Sequence, residues 1–226
     1  MTRSVAAAPA RAAPAFSRST LREQIKDVIL QRIVEGSLEP GSRIVETRVA
    51  QELGVSQGPV REALRDLEQL GCVVHEPNRG CSVRAFSLEE LVEAFPVRAA
   101  LEALAARLAA ERITAAELAE LDRLLERMRR AARRGDAHDQ SQANASFHAT
   151  IVRAARNQTL ERQWRLLEPY SRTYLTVSRA RVDLVHLSDR HVPILAALHH
   201  HDPQAAAEAM HEHLMGAAEL LREDPP

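Results

Sequence analysis

At 226 residues the chain is long enough for two ordinary domains, each with a core of its own. Aromatic residues make up only 3% of it while Ala, Leu and Arg are plentiful, which points to a mostly helical protein. A formal net charge of −1 excludes a globally basic nucleic-acid binder, and no run approaches the ~20 apolar residues of a membrane-spanning helix.

Lys26 is the only lysine, so nearly all positive charge is guanidinium. Between Ser17 and Phe86 ten Arg or Lys face ten Asp or Glu, so any basic patch there must come from arrangement. The Ala/Pro-rich run from Met1 to Ala15 lacks the continuous apolar core of a secretion signal. Residues 1–16 are expected to be a disordered tail, and the protein cytoplasmic. The two cysteines, Cys72 and Cys81, flank a predicted hairpin; without an export signal they read as reduced thiols.

After the tail, Leu21–Glu35 predicts a first helix with Ile25, Val28, Ile29 and Ile33 on its inner side, stopped by Gly36. Ser37–Arg43 holds a Pro-Gly turn. The organising stretch is Val45–Leu70, which reads as a helix, a tight turn and a second helix. The first helix buries Val49, Ala50 and Leu53; Gly54 permits the sharp exit, and Ser56 is expected to cap the next helix through its hydroxyl. In the second helix Val60, Ala63, Leu64, Leu67 and Leu70 share an inner face. Ser56, Gln57, Gly58, Arg61 and Arg65 then lie on the outer one, where a recognition helix meets bases and phosphates. The alternative for Arg61 is an ion pair with Glu62 or Asp66; Gln57 either pairs with adenine or only caps. Val73–Val74 and Ser82–Val83 predict a hairpin, a wing beside the recognition helix, with Arg79 at its tip and Gly80 in its turn.

Leu21–Phe86 resembles the winged-helix domain of the GntR family of bacterial transcription regulators, through Pro40-Gly41-Ser42-Arg43-Ile44, Leu53-Gly54-Val55-Ser56, Pro59-Val60-Arg61-Glu62-Ala63-Leu64 and Asn78-Arg79-Gly80. The resemblance implies DNA contacts from Arg43, Thr47, Ser56, Gln57, Gly58, Arg61, Arg65, Arg79 and Gly80. Gln57-Gly58 stands where the family usually has Arg-Thr, and Thr47 where a DNA-contacting arginine often occurs.

From Ser87 the pattern is helical throughout. Ser87 with Glu90 and Thr114 with Glu117 read as capping boxes. The first opens a helix over Leu88–Ile113 that Pro96 should kink or divide. Further helices are expected through Leu118–Met128, from Asp136 to about Ala155, from Asn157 through Trp164, Tyr170, Tyr174 and Val177, from a Ser188 cap to about His199, and from Asp202-Pro203 to about Leu221. These make a bundle of six helices over residues 87–226, behind a DNA-binding unit over residues 17–86.

Nine of the ten histidines lie at or after His138. Asn144 and His148 share an otherwise apolar face with Ile151, His191 precedes Ile194, Leu195 and Leu198, and His213 lies beside Ala209, Met210 and Ala217. Three inward imidazoles and an amide from packed helices suit a metal site in a bundle core; the alternative is that each is an ordinary core histidine. His199-His200-His201 at a helix end reads as exposed.

This second half is similar to the FCD domain that defines the FadR branch of GntR regulators, in its shorter VanR-like six-helix form, through Val97-Arg98-Ala99-Ala100-Leu101-Glu102, Asn144-Ala145-Ser146-Phe147-His148, His191 with Ile194-Leu195, and His213. The resemblance implies a divalent cation (zinc, nickel or manganese) on Asn144, His148, His191 and His213, which helps to hold a small carboxylate effector. Asn144 replaces the commoner aspartate with a weaker, neutral ligand. Arg98 offers its fork to that carboxylate or else pairs with Glu102, and Arg172 is a further candidate.

The expectation is therefore a mainly α protein, an N-terminal winged helix-turn-helix plus a C-terminal all-α bundle. It would act as a ligand-responsive transcription regulator, a homodimer on a two-fold double-stranded DNA operator with no membrane partner. The rivals are a metal-dependent enzyme, disfavoured because no Asp or Glu is placed as general base, and a purely structural metal.

Overall fold

The computed structural model describes residues 21–76, 80–167 and 183–223. Helix α1 (Leu21–Val34) lies against α3 (Gln57–Gln69), and α2 (Glu46–Leu53) packs beside α3. Gly54 ends α2 in the left-handed conformation at φ +66°, and Val55 N–H returns to the Ala50 carbonyl at 3.0 Å, which makes the sharp turn between the two helices. Ser56 takes the extended N-cap geometry of α3, but its hydroxyl makes no capping bond, so the cap expected of it is one of backbone only.

Strands β1 (Arg43–Ile44), β2 (Val73–Glu76) and β3 (Gly80–Val83) form an antiparallel sheet in the order β1-β3-β2. The register pairs Val73 with Val83 and His75 with Cys81. Cys72 and Cys81 are both buried and form no disulfide; burial, reinforced by Glu68 and Glu46, pushes the Cys81 thiol up to about 12.

Helix α4 (Leu88–Ala110) starts at the Ser87–Glu90 capping box and runs unbroken through Pro96, so the expected division does not occur. Helix α5 (Ala115–Arg133) opens on the Thr114–Glu117 box, α6 (Ala137–Ala154) follows Asp136, and α7 (Gln158–Leu166) is capped by Asn157. The continuation expected through Tyr170, Tyr174 and Val177 lies outside the described residues, as does the tail.

The expected fifth helix is two. Helix α8 (Leu184–Asp189) is capped by Asp183, and α9 (Val192–His199) starts after His191 with Pro193 in its first turn. Ser188 is therefore no cap: it sits buried inside α8 and its hydroxyl donates to the Leu184 carbonyl at 2.8 Å. Pro193 has no N–H with which to extend α8, and its fixed φ suits a new first turn. Asp202 caps α10 (Pro203–Glu223) by accepting from Gln204 and Ala205 N–H.

Helix α4 runs along α10, α5 along α6, and α8 lies on α5. One contiguous apolar cluster reaches from Ile29 and Leu64 through Phe86, Leu91 and Phe95 to Phe147, Ile151 and Leu214, so both halves share a core. Polar groups also bridge them: Gln142 on α6 donates to Asp27 on α1 at 3.2 Å and accepts from Arg127. No helix among the described residues is long and apolar enough to cross a membrane.

Candidate functional site

Val60, Ala63, Leu64 and Leu67 are buried against α1, which leaves the other side of α3 in solvent. Ser56, Gln57, Gly58, Arg61 and Arg65 are all exposed there, and Thr47 is exposed on α2. Arg61 pairs with neither Glu62 nor Asp66. It reaches back to Glu46 at the start of α2 at 3.1 Å, while Asp66 pairs with Arg22 at 3.0 Å. The Arg61 pair is exposed, so it holds the guanidinium only weakly. Arg43 on β1 lies against Gly80, whose Cβ would stand 3.4 Å from Arg43 Nη2. Arg79 lies outside the described residues.

In the bundle, α6 contributes Asn144 and His148, the α8–α9 junction contributes His191, and α10 contributes His213. The potential ligand atoms of the three imidazoles lie within 4.8 Å of one another. Their ring centroids are 5.5, 5.2 and 4.3 Å apart for His148–His191, His148–His213 and His191–His213.

Glu102, one turn after Arg98 on α4, stands behind His148. Its Oε2 accepts from His148 Nδ1 at 2.5 Å, and its Oε1 accepts from Arg98 Nε at 3.0 Å and Trp164 Nε1 at 2.9 Å. Burial alone would raise this carboxyl, but Arg98, His148 and the Trp164 bond together hold it well below the usual carboxylate range. His148 is thus fixed with Nε2 forward, the carboxylate–histidine arrangement that orients metal ligands. His191 Nδ1 donates to the Ser188 carbonyl at 3.1 Å, leaving a lone pair on Nε2; Asn144 Oδ1 stands 2.9 Å from it. Two acceptors at that distance suit adjacent ligands of one cation. Nδ1 of His213 is enclosed with no hydrogen-bond partner among the described residues.

Burial, and then the neighbouring imidazoles, push His191 down to about 3 and His213 well below the ordinary range, so both are held as neutral rings, the form that ligates. Three imidazoles, an amide oxygen and an orphaned buried nitrogen fit a borderline divalent cation.

Arg98 lines the cavity at the cluster, but its charge is committed to Glu102. Arg172 lies outside the described residues. Glu102, Trp164 and Arg190 are site residues not singled out from sequence; Glu102 had a signal in its spacing from Arg98, whereas Trp164 and Arg190 had none. Arg190 donates from Nη2 to the His213 carbonyl at 2.8 Å and lines the same cavity. Among the described residues no carboxylate lines it, and both oxygens of Glu102 are engaged behind His148. His199, His200 and His201 are exposed, with His199 against Asp122 at 3.1 Å.

Residues 16–83 match the family of bacterial regulatory proteins of gntR type, and residues 93–216 match the FCD domain. The chain is similar to a probable D-xylose utilization operon transcriptional repressor of Paenarthrobacter nicotinovorans, 36% identical over 88% of both chains. It is also similar to the gluconate operon transcriptional repressor of Bacillus subtilis strain 168, 25% identical over 87% of this chain and 83% of that one. Among solved structures, Escherichia coli McbR/YncC superposes with a TM-score of 0.70 at 25% identity, covering 91% of this chain and 99% of the other.

Proposed function

Because the chain belongs to the gntR family of bacterial regulatory proteins and carries an FCD domain, it is a DNA-binding transcription regulator and no enzyme, and we propose that it is a cytoplasmic homodimeric repressor released from a two-fold operator by a small acid. Its recognition helix α3 enters the major groove from its N-terminal end. Gln57 reads a base edge through its amide, Gly58 lets the backbone close on the DNA, and Arg61 and Arg65 hold bases and phosphates. Ser56 and Thr47 add phosphate contacts, and Arg43, Arg79 and Gly80 carry the wing. Exposed Val97 and Leu104, on one side of α4, support an apolar contact between protomers.

In the bundle, Asn144, His148, His191 and His213 hold a divalent cation, with zinc and nickel fitting the imidazoles better than manganese. The cation supplies a Lewis-acid charge for an oxygen of the effector. Glu102 keeps His148 in the ligating tautomer, and the Ser188 carbonyl does the same for His191. Arg98 stays ion-paired at the cavity wall. The convergence of three buried-facing imidazoles on Asn144 in one cavity carries this reading.

The test is metal analysis of tag-free protein, wild type beside His148→Ala with His191→Ala, together with melting in acetate. About one metal per protomer, lost in the double variant, and an acetate-dependent rise in Tm are expected. Metal-free wild type would leave the DNA-binding half standing and return the histidines to the core.

A further inference from the structure

Arg190 is a guanidinium of this cavity that no acid grips directly, although Glu219 on α10 favours its charge from a greater distance. Its Nη2 donates to the His213 carbonyl at 2.8 Å, and among the described residues it forms no ion pair. Arg98, by contrast, is locked to Glu102, and the neighbouring Asp189 is taken by Arg129 at 2.7 Å. The guanidinium of Arg190 lies over Gly216: a Cβ there would stand 2.2 Å from Nη2 and 3.0 Å from Cζ, so a side chain at this position would push the end of Arg190 off its place on α10. His213 and Gly216 are three residues apart, on one side of the helix and separated by a rise of about 4.5 Å. Partial burial disfavours the Arg190 charge and Glu219 offsets part of this, while no carboxylate among the described residues lines the cavity itself.

A cation held by three imidazoles and an amide keeps its full charge, since none of those ligands is anionic. With Arg190 on the same wall, the cavity lining offers two separate positive centres and no carboxylate among the described residues. Resting on the acid-sensor reading above, we propose that the effector is a short dianion, a dicarboxylate whose one acid group sits at the histidine cluster and whose other is held by Arg190. The fork of Arg190 keeps further N–H donors beyond the one given to His213, enough to take a carboxylate. Gly216 is then a specificity-determining position, since it is what lets the guanidinium lie there.

The test uses full-length, zinc-loaded protein and compares acetate with succinate and malonate by calorimetric titration, in wild type, Arg190→Gln and Gly216→Ala, with metal content measured in each. Gly216→Ala keeps the arginine, and alanine is the better helix former, so this variant tests the seat without weakening the helix. Wild type is expected to bind a dicarboxylate about tenfold or more tighter than acetate, and in both variants this preference falls to near unity while acetate binding and metal content persist. A dicarboxylate preference retained in either variant overturns the assignment, as does equal binding of acetate and dicarboxylate by wild type, which leaves the acid-sensor reading intact. Metal lost from both variants makes Arg190 a strut for His213 and also overturns it. Wild type that binds neither acid sinks the acid-sensor reading itself.

Discussion

Glu102 is fully buried and serves three donors at once, so its removal is felt on every side. Glu102→Gln leaves Arg98 as an uncompensated buried charge and frees the His148 ring to turn. The expected result is a loss of about 3–5 kcal/mol in urea unfolding and metal affinity weakened by about 10- to 100-fold in chelator competition. His191 gives a pH dependence. It is neutral in the folded, metal-free protein down to about 3, whereas in the unfolded chain it takes a proton near the ordinary 6.5. Between those values the unfolded state binds more protons, so stability falls as pH falls from 6.5. Its share is about 2 kcal/mol by pH 5, to be read as the extra loss of metal-free wild type over His191→Gln in unfolding at pH 7 and pH 5. The imidazoles and Asn144 were legible in the sequence because they interrupt apolar helical faces. Arg190 was not, because its position depends on a missing side chain at Gly216, twenty-six residues away and on another helix.

Caps and turns made the element boundaries readable where they act locally. The boxes at Ser87 and Thr114 form as their spacing predicts, and Asp202 caps α10. Ser188 misled because serine at a candidate cap looks the same as serine inside a helix; Pro193, five residues on, sets the real start of α9. Pro96 misled in the opposite direction, since α4 keeps its course through it between α10 and α6. At this scale Ser87→Ala is expected to cost about 1 kcal/mol, because it removes the acceptor of Glu90 N–H, seen as a lower urea midpoint with unchanged m-value. Operator affinity of that variant should stay within a few fold of wild type, since the recognition helix is untouched.

Across the whole molecule, the shared core and the Asp27–Gln142 bond place the DNA-reading half directly on α6, the helix that carries Asn144 and His148. A shift of α6 on effector binding therefore has a short path to α1, which packs on α3. Asp27→Ala is expected to leave metal content and acid-free operator affinity nearly unchanged while reducing the acid-induced loss of affinity by about two- to tenfold, measured by fluorescence anisotropy of labelled operator. An unchanged acid response would mean that the shared apolar core carries the coupling alone. The helix-turn-helix and its wing were the most legible part of the chain, since one motif and two turn glycines specify them; the joining of the halves was not, because Asp27 and Gln142 are 115 positions apart. Trp164, the single tryptophan of the chain, has its indole N–H on the carboxylate that backs His148. The protein's tryptophan emission therefore arises at one buried point behind the histidine cluster, and loading or emptying that cluster can be followed by the colour and intensity of tryptophan fluorescence from unlabelled protein.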